Sequence, residues 1–174
     1  MQTNIVFTLT GTDRVGIVEE VTRLFFDLGG NVETSRMVRL GGEFAMLMLV
    51  ALPAEKRASL ESSLQRLSGQ GFKVSTQQTE PARELAGVPF HIQVIGADHE
   101  GIIHEIAQYL SERGINIEAM DTETTAAATS GAPLFSMKAL VLVPPTLLNQ
   151  KWQAALEGVG QRLNVDVHVS AVAL

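Results

Sequence analysis

The chain has 174 residues, no cysteine and a net charge of −6, with 45% hydrophobic and 18% charged residues. These fractions are ordinary for a globular protein. The absence of cysteine excludes disulfides, a thiolate nucleophile and a cysteine-ligated zinc site. The negative charge argues against direct nucleic-acid binding, which depends on lysine and arginine. The N-terminal sequence resembles neither a signal peptide nor a membrane span, so we expect a cytoplasmic protein with no membrane partner.

One loop motif occurs twice, 85 residues apart, as GTDRVGI at Gly11–Ile17 and GADHEGI at Gly96–Ile102. An asparagine follows each copy at the same spacing, Asn31 in the first and Asn116 in the second. A period this long is typical of a duplicated domain and too long for a solenoid repeat. We expect one domain at residues 1–80, a linker at residues 81–87 and a second domain at residues 88–174.

Apolar residues alternate with polar ones in the predicted strands and recur at i, i+3/i+4 and i+7 in the predicted helices. This pattern predicts the order β-α-β-β-α-β in each copy. The first stripe includes Val18, the second includes Ile103, and Leu148 is expected to open the last helix. Strands are expected at residues 3–10, 31–40, 44–52, 72–79, 90–94, 115–123, 135–143 and 165–171, with helices at 17–28, 60–67, 102–110 and 148–159. The expected fold class is α+β: two ferredoxin-like (βαββαβ) domains, each an antiparallel sheet with its helices on one face.

The third strand of the first copy is apolar on both faces, although the helices can cover only one face. The other face or edge of the sheet therefore needs a cover. We expect this cover to be the other copy in the chain or the same surface of a second chain, so a homodimer is predicted. The second copy also has six extra residues before its third strand, within residues 124–131, and this hairpin is where the copies are most expected to differ in function.

The repeated loop has two interpretations. In the structural one, its glycines form a tight turn and Asp13 caps the first helix. In the functional one, Gly16 and Gly101 leave the N–H groups of a helix start open to the carboxylate of a ligand. Asn31 and Asn116 are then expected to begin the next strand beside that site, where each could accept from an ammonium group and donate to a carboxylate.

Catalysis and metal binding have little support. The histidines of His99-Glu100-Gly101-Ile102-Ile103-His104 would lie about 140° apart around a helix, so they do not form a zinc site. Glu20 and Glu105 fall in first helical turns, where the helix dipole favours a stabilising role. No activated nucleophile or paired acid and base is evident. We therefore expect no enzyme activity, no cofactor and no metal.

The Gly-x-Asp-x-x-Gly-Ile loop, closed by Gly-x-Asn or Gly-Asn, resembles the ACT domain, and the resemblance covers nearly the whole chain. Two such units without a catalytic or DNA-binding domain are similar to the glycine cleavage system transcriptional repressor family. The resemblance implies a repressor that binds a small amino acid, glycine first, and contacts a transcriptional activator protein instead of DNA. It implies a ligand-binding set of Gly11, Thr12, Asp13, Gly16, Ile17, Asn31, Gly96, Asp98, Gly101, Ile102 and Asn116.

Two other functions remain open at this stage. One is a protein–protein adaptor that needs no ligand, which the two-sided apolar strand favours. The other is a regulatory subunit of an amino-acid metabolic enzyme, similar to other stand-alone ACT proteins.

Overall fold

The computed structural model describes residues 2–80, 86–127 and 131–172. Contacts between residues divide the chain into two compact units, Met1–Arg83 (unit 1) and Glu84–Leu174 (unit 2). Most of the expected linker at residues 81–87 lies outside the described residues, so its structure stays a prediction.

Unit 1 forms a single antiparallel sheet with two helices. Its elements are β1 (Gln2–Thr12), α1 (Ile17–Asp27), β2 (Asn31–Leu40), β3 (Glu43–Pro53), α2 (Arg57–Gly69) and β4 (Lys73–Thr79). The strands lie in the order β2-β3-β1-β4, so β2 and β4 are the edges of the sheet.

Unit 2 repeats this arrangement. Its elements are β5 (Val88–Ala97), α3 (Ile102–Glu112), β6 (Asn116–Ala126), β7 (Pro133–Val143), α4 (Trp152–Arg162) and β8 (Val165–Ala171). The strand order is β6-β7-β5-β8, with β6 and β8 at the edges. Two βαββαβ units with antiparallel sheets confirm the expected fold class.

Each core lies between the helices and one face of its sheet. In unit 1, Phe7 of β1 meets Phe25 of α1 edge to face, with 5.2 Å between ring centroids. In unit 2, Phe90 and Trp152 make the same kind of contact at 5.4 Å, and the Tyr109 hydroxyl donates to the Trp152 carbonyl at 2.6 Å. Edge-to-face ring pairs of this kind add stability beyond the area that they bury.

Three residues expected in the cores lie at the surface. Val18 is 42% exposed and Ile103 is 43% exposed, because both point away from the sheet at the start of their helices. Leu148 is 40% exposed and precedes α4, which begins only at Trp152. The helical stripes are therefore narrower than predicted.

The sheet face opposite the helices differs between the units. In unit 1, β3 places Ala45, Leu47 and Leu49 on this face, and Leu47 is 47% exposed. The register of β7 places Lys138 at the position matching Leu47, opposite Gln93 of β5. The two-sided apolar strand predicted for unit 1 is confirmed, whereas the same face of unit 2 carries a charge.

The β6–β7 hairpin is longer than its counterpart in unit 1, where Gly41 and Gly42 alone join β2 to β3. The Ala127 N–H donates to the Ala132 carbonyl at 2.8 Å and closes the longer turn. Residues 128–130 of the expected insertion lie outside the described residues.

Candidate functional site: the two loops at the helix starts

Each repeated loop ends in a glycine that begins a helix. Gly16 (φ 95°) precedes α1 and Gly101 (φ 93°) precedes α3, both in the left-handed region. A residue with a Cβ would be strained there by about 1–2 kcal/mol. A Cβ added to either glycine would meet nothing within 4 Å, so both helix starts open onto free space.

The first-turn amides of these helices carry no side-chain cap. The Gly16 and Gly101 carbonyls accept the first helical hydrogen bonds, from the N–H of Glu20 at 2.9 Å and of Glu105 at 3.0 Å. No side chain of the described residues bonds back to the free N–H groups of either helix start. Uncapped N–H groups and the helix dipole together favour an anionic ligand group.

The prediction that Asp13 caps α1 is wrong. Asp13 lies three residues before the capping position, and its own N–H donates to the Gly42 carbonyl of the β2–β3 turn at 2.9 Å. Its carboxylate lies 3.0 Å from Nε of Arg39. In unit 2 the Asp98 carboxylate accepts instead from the Thr124 hydroxyl at 3.4 Å. Each aspartate therefore binds its loop to the neighbouring strand β2 or β6.

Gly11 and Gly96 are explained by packing. A Cβ on Gly96 would lie 2.6 Å from Cγ1 of Val165 and 2.9 Å from the Asn164 carbonyl oxygen. A Cβ on Gly11 would lie 2.6 Å from the Phe72 ring. Both distances are far below van der Waals contact, so glycine lets the chain that leads into β4 or β8 pass close to the loop.

The other predicted loop residues differ in what they offer a ligand. Ile17 and Ile102 are each 2% exposed, so their side chains belong to the cores and only their backbone amides face the loops. Thr12 is exposed at the end of β1, where it pairs with Glu43.

The asparagines lie away from the loops of their own units, so the expectation that they begin a strand beside the loop is wrong within each unit. Asn31 pairs with Ala51 of β3, whereas Gly11 pairs with Phe44 of the same strand. That separation along β3 corresponds to about 23 Å at the usual rise of a strand. The reason is topological: α1 returns the chain to the other end of the sheet before β2 begins. Asn116 is equally far from the loop of unit 2, because it pairs with Leu142 of β7 whereas Gly96 pairs with Phe135. The Asn116 side chain donates to the Glu118 carboxylate.

A basic side chain ties each loop to the turn after the second helix. In unit 1, Nη2 of Arg14 lies 2.6 Å from the Glu20 carboxylate and 3.3 Å from the Gln70 side-chain oxygen. The hydrogen bond from Arg14 lowers the pKa of Glu20. The guanidinium also lies over the Phe72 ring, 5.2 Å from its centroid.

Unit 2 has His99 at the position of Arg14. One ring nitrogen of His99 lies 2.7 Å from the Leu163 carbonyl oxygen and the other lies 2.9 Å from that of Glu100. Both partners are acceptors, so the doubly protonated imidazolium satisfies both contacts. The hydrogen bond to Leu163, followed by that to Glu100, raises the pKa of His99.

A cavity of about 550 Å³ lies beside the unit 2 loop. Ten residues line it: Asp98, His99, Gly101, Ile102, Ile103, His104, Thr122, Glu123, Thr124 and Phe135. Its wall therefore includes two carboxylates and no lysine or arginine. Sequence reasoning missed Thr122 and Glu123, because the aligned positions of the first copy hold Met37 and Val38. Thr124 begins the segment 124–131, where the two copies are expected to differ in function, so the longer β6–β7 hairpin was the signal that pointed towards this cavity.

Within residues 2–80, 86–127 and 131–172, no three histidine, cysteine or acidic side chains are grouped so that they could hold a metal ion. None of the helices in those ranges has the length and apolar character needed to cross a membrane.

Residues 3–77, which make up most of unit 1, match the ACT domain family, and unit 2 repeats the fold and the glycine-opened loop of unit 1. The glycine cleavage system transcriptional repressor of Escherichia coli (strain K12) is 25% identical over 170 residues, covering 97% of this chain and 90% of that protein. The protein of the same name from Shigella flexneri matches to the same extent. Over nearly its whole length this chain is therefore similar to the glycine cleavage system transcriptional repressors.

Two crystal structures are similar to this chain over at least 99% of its length. A protein from Galdieria sulphuraria, described only as unknown, has a TM-score of 0.87 and 34% identity, over 99% of this chain and 100% of its own. A proposed glycine cleavage system transcriptional repressor has a TM-score of 0.73 and 23% identity, over 100% of this chain and 99% of its own. The second likeness supports the fold alone.

Proposed function

We propose that this protein is a non-enzymatic regulator of glycine cleavage that responds to a small α-amino acid, glycine first. One observation carries the proposal: Gly16 and Gly101 each open a helix start whose amides no side chain of the described residues caps. Such a start accepts a carboxylate through its free N–H groups and its dipole. Both copies of the duplicated unit keep this feature.

The neighbouring side chains suit the other end of an amino acid. In unit 2, the carboxylates of Asp98 and Glu123 line the cavity beside the α3 start and complement an ammonium group. In unit 1, Arg39 already pairs with Asp13. We therefore assign the stronger amino-acid site to unit 2.

We infer the regulatory output from the relatives of this chain. The named relatives are transcriptional repressors, and the net charge of −6 disfavours direct binding to DNA. We therefore propose a cytoplasmic homodimer that represses by binding a transcriptional activator protein. Asn31 lies too far from the loop of its own unit to share a ligand with it.

Calorimetry and thermal-shift measurements with glycine, serine, alanine and larger amino acids test the sensing proposal. We expect glycine or another small amino acid to release heat and to raise the unfolding temperature. Gly101→Val should abolish both effects, since its side chain would occupy the open helix start. Gly158→Val, in α4 and away from the loop, is the control for a bulky residue at a glycine. The absence of heat and of a thermal shift for every amino acid would remove the sensing proposal.

A ligand-independent adaptor is the second candidate, and the apolar surface of unit 1 favours it. Val38, Leu40 and Leu47 are exposed on the sheet face away from the helices. Leu47→Asp should abolish partner binding under this alternative, whereas Asp98→Asn should leave partner binding unchanged with or without amino acids. The regulator proposal instead predicts that amino acids change partner affinity and that Asp98→Asn removes this dependence.

A further inference from the structure

His99 joins the unit 2 loop to the turn that follows α4. Its Nε2 lies 2.7 Å from the Leu163 carbonyl oxygen in that turn, and its Nδ1 lies 2.9 Å from the Glu100 carbonyl oxygen in the loop. A carbonyl oxygen can only accept a hydrogen bond, and a neutral imidazole has a single N–H to donate. Only the imidazolium can make both bonds, so the number of contacts depends on one proton.

The turn after α4 is the fixed side of this contact. The Leu163 N–H donates to the Val159 and Gly160 carbonyls, at 3.2 Å and 3.0 Å. These two bonds belong to the end of the helix and do not involve the imidazole. When His99 loses a contact, we therefore expect the loop to move and the turn to keep its place.

The contact with Glu100 sets the direction of a backbone amide at the start of α3. The Glu100 carbonyl and the Gly101 N–H belong to one planar trans peptide group, in which they point in opposite directions. Gly101 has φ 93°, and a Cβ added there would meet nothing within 4 Å, so packing does little to hold this peptide. The hydrogen bond from His99 therefore orients the N–H that would face a ligand carboxylate.

Unit 1 has a permanent charge at the same position. Arg14 replaces His99 there, and an arginine in a protein does not lose its proton. Nη2 of Arg14 lies 2.6 Å from the Glu20 carboxylate and 3.3 Å from the Gln70 side-chain oxygen. Unit 2 has Glu105 at the position of Glu20, so an arginine at residue 99 would have the same kind of partner. The two loops therefore differ in their response to protons.

Several elements around His99 carry ionisable side chains. They are Asp98 and Glu100 in the loop, His104 and Glu105 in α3, Glu123 in β6 and Arg162 in α4. The hydrogen bonds to the Leu163 and Glu100 carbonyls raise the pKa of His99, and the charge of Asp98 adds to this effect.

Most of these neighbours keep their charge across neutral pH. Carboxylates lose their protons well below pH 7, and Nη1 of Arg162 donates back to the Gly158 carbonyl at 3.2 Å. His104 lines the same cavity as His99 and is of the residue type that titrates near neutral pH. It therefore needs its own control.

We propose that His99 is a pH-dependent positioning residue for amino-acid binding by unit 2. The imidazolium holds the loop to the turn and orients the Gly101 amide. After the exposed ring gives its proton to solvent, one of its two contacts is lost and the loop binds a ligand carboxylate more weakly. The inference rests on the proposed function, because it describes the regulation of the same site.

The proposal fixes the sign of the pH effect. Because the protonated form binds the ligand better, affinity is highest below the pKa of His99 and falls as the pH rises through it. Linkage is reciprocal, so a bound amino acid should in turn raise the pKa of His99. The unit 1 loop, held by Arg14, should show no such dependence.

Calorimetric titration with glycine, serine and alanine at about pH 5.5 and about pH 8 tests the proposal. The wild type should lose about fivefold or more in affinity between the two pH values. His99→Gln, which is neutral at both, should bind with the weaker affinity at both. His99→Arg, which copies Arg14, should keep the stronger affinity at the higher pH.

His104→Gln is the matched control. Whatever it does to affinity itself, it should preserve the ratio of affinities between the two pH values. Circular dichroism on every variant checks that it is folded.

Nuclear magnetic resonance tests the loop contact without a ligand. The His99 ring and the Gly101 amide should titrate with the same midpoint in the wild type. In His99→Arg the Gly101 amide should show no transition at that midpoint.

Three results would overturn the role of His99: a wild-type affinity that does not fall with pH, the same pH dependence in His99→Gln, or weak binding by His99→Arg at the higher pH. Strong binding that is independent of pH would leave the sensing proposal intact. If no amino acid binds at either pH, the sensing proposal falls. A Gly101 amide that titrates with the His99 ring would then still support the proton-dependent contact, and one that does not would remove it as well.

Discussion

The guanidinium Nε of Arg39 lies 3.0 Å from the carboxylate of Asp13, across the gap between the first loop and β2. The equivalent carboxylate of unit 2, that of Asp98, has a neutral hydroxyl at 3.4 Å, from Thr124. One unit therefore neutralises its loop aspartate, and the other leaves the charge available. Two loops of the same shape thus differ in their electrostatics.

This difference predicts unequal roles in ligand binding. Asp98→Asn should weaken glycine binding about tenfold or more, because a hydrogen bond to a charged group contributes about 1.5–3 kcal/mol. Asp13→Asn, the matched change in unit 1, should alter glycine binding less than threefold. Isothermal titration of both variants measures the effect. A larger loss from Asp13→Asn would contradict the assignment of the stronger site to unit 2.

The backbone at Gly101 predicts a cost that does not depend on contacts. Gly101→Ala should lower the free energy of unfolding by about 1–2 kcal/mol, because φ is positive at this position although the surrounding space is open. Gly158→Ala, at an interior position of α4, should raise it by up to about 1 kcal/mol. Urea denaturation checks both. Equal changes in the free energy of unfolding of the two variants would show that the positive φ at Gly101 does not cause the destabilisation.

The close approach at Gly96 predicts a packing effect. Gly96→Ala should destabilise the protein by about 1–3 kcal/mol, because the new Cβ would overlap backbone atoms of Asn164 and Val165. Gly11→Ala should cost less, since its nearest atoms belong to the Phe72 ring, which can shift. Thermal unfolding of the two variants compares them directly. A larger destabilisation by Gly11→Ala than by Gly96→Ala would mean that the start of β8 shifts more easily than the Phe72 ring.

The contacts of His99 predict a pH effect on unit 2. Its pKa is raised in the folded protein, by the hydrogen bonds to the Leu163 and Glu100 carbonyls. The resulting stability is fully present below the unfolded pKa of about 6.5 and is lost as the pH rises above that value through the higher folded pKa. His99→Gln should flatten the stability profile over this range.

The control for this prediction is His104→Gln. His104 lines the same cavity but makes no bond to the turn after α4. The stability of His104→Gln should therefore depend on pH in the same way as that of the wild type, as measured by calorimetric scans at several pH values. A steep wild-type profile that survives in His99→Gln would assign the pH dependence to another group.

The fold was predictable from the sequence because its signals are local. Alternation at Ile5, Phe7 and Leu9 marks a strand, and all three residues are buried in the core. The spacing of Val21, Leu24 and Phe25 marks the buried side of α1. The repeat of Gly16 at Gly101 was enough to predict that both helices begin in the same way, and both glycines do have positive φ.

The surroundings of the loops were not predictable in the same way. Asp13 has a suitable side chain for a helix cap, but the hairpin from β2 to β3 places Arg39 beside it. Asn31 follows α1 directly in the chain, but that helix carries it to the far end of the sheet from Gly11. Val18 fits the helical stripe and still faces solvent.

The sequence alone determined the duplication, the order of the elements and the two glycine-opened helix starts, because periodicity and backbone preference act over a few residues. Only the tertiary structure decided which carboxylate is neutralised, which residues line the unit 2 cavity and which strands remain as open edges. Those properties depend on pairings between residues far apart in the chain, such as Asp98 with Thr124, whose energies no local pattern encodes.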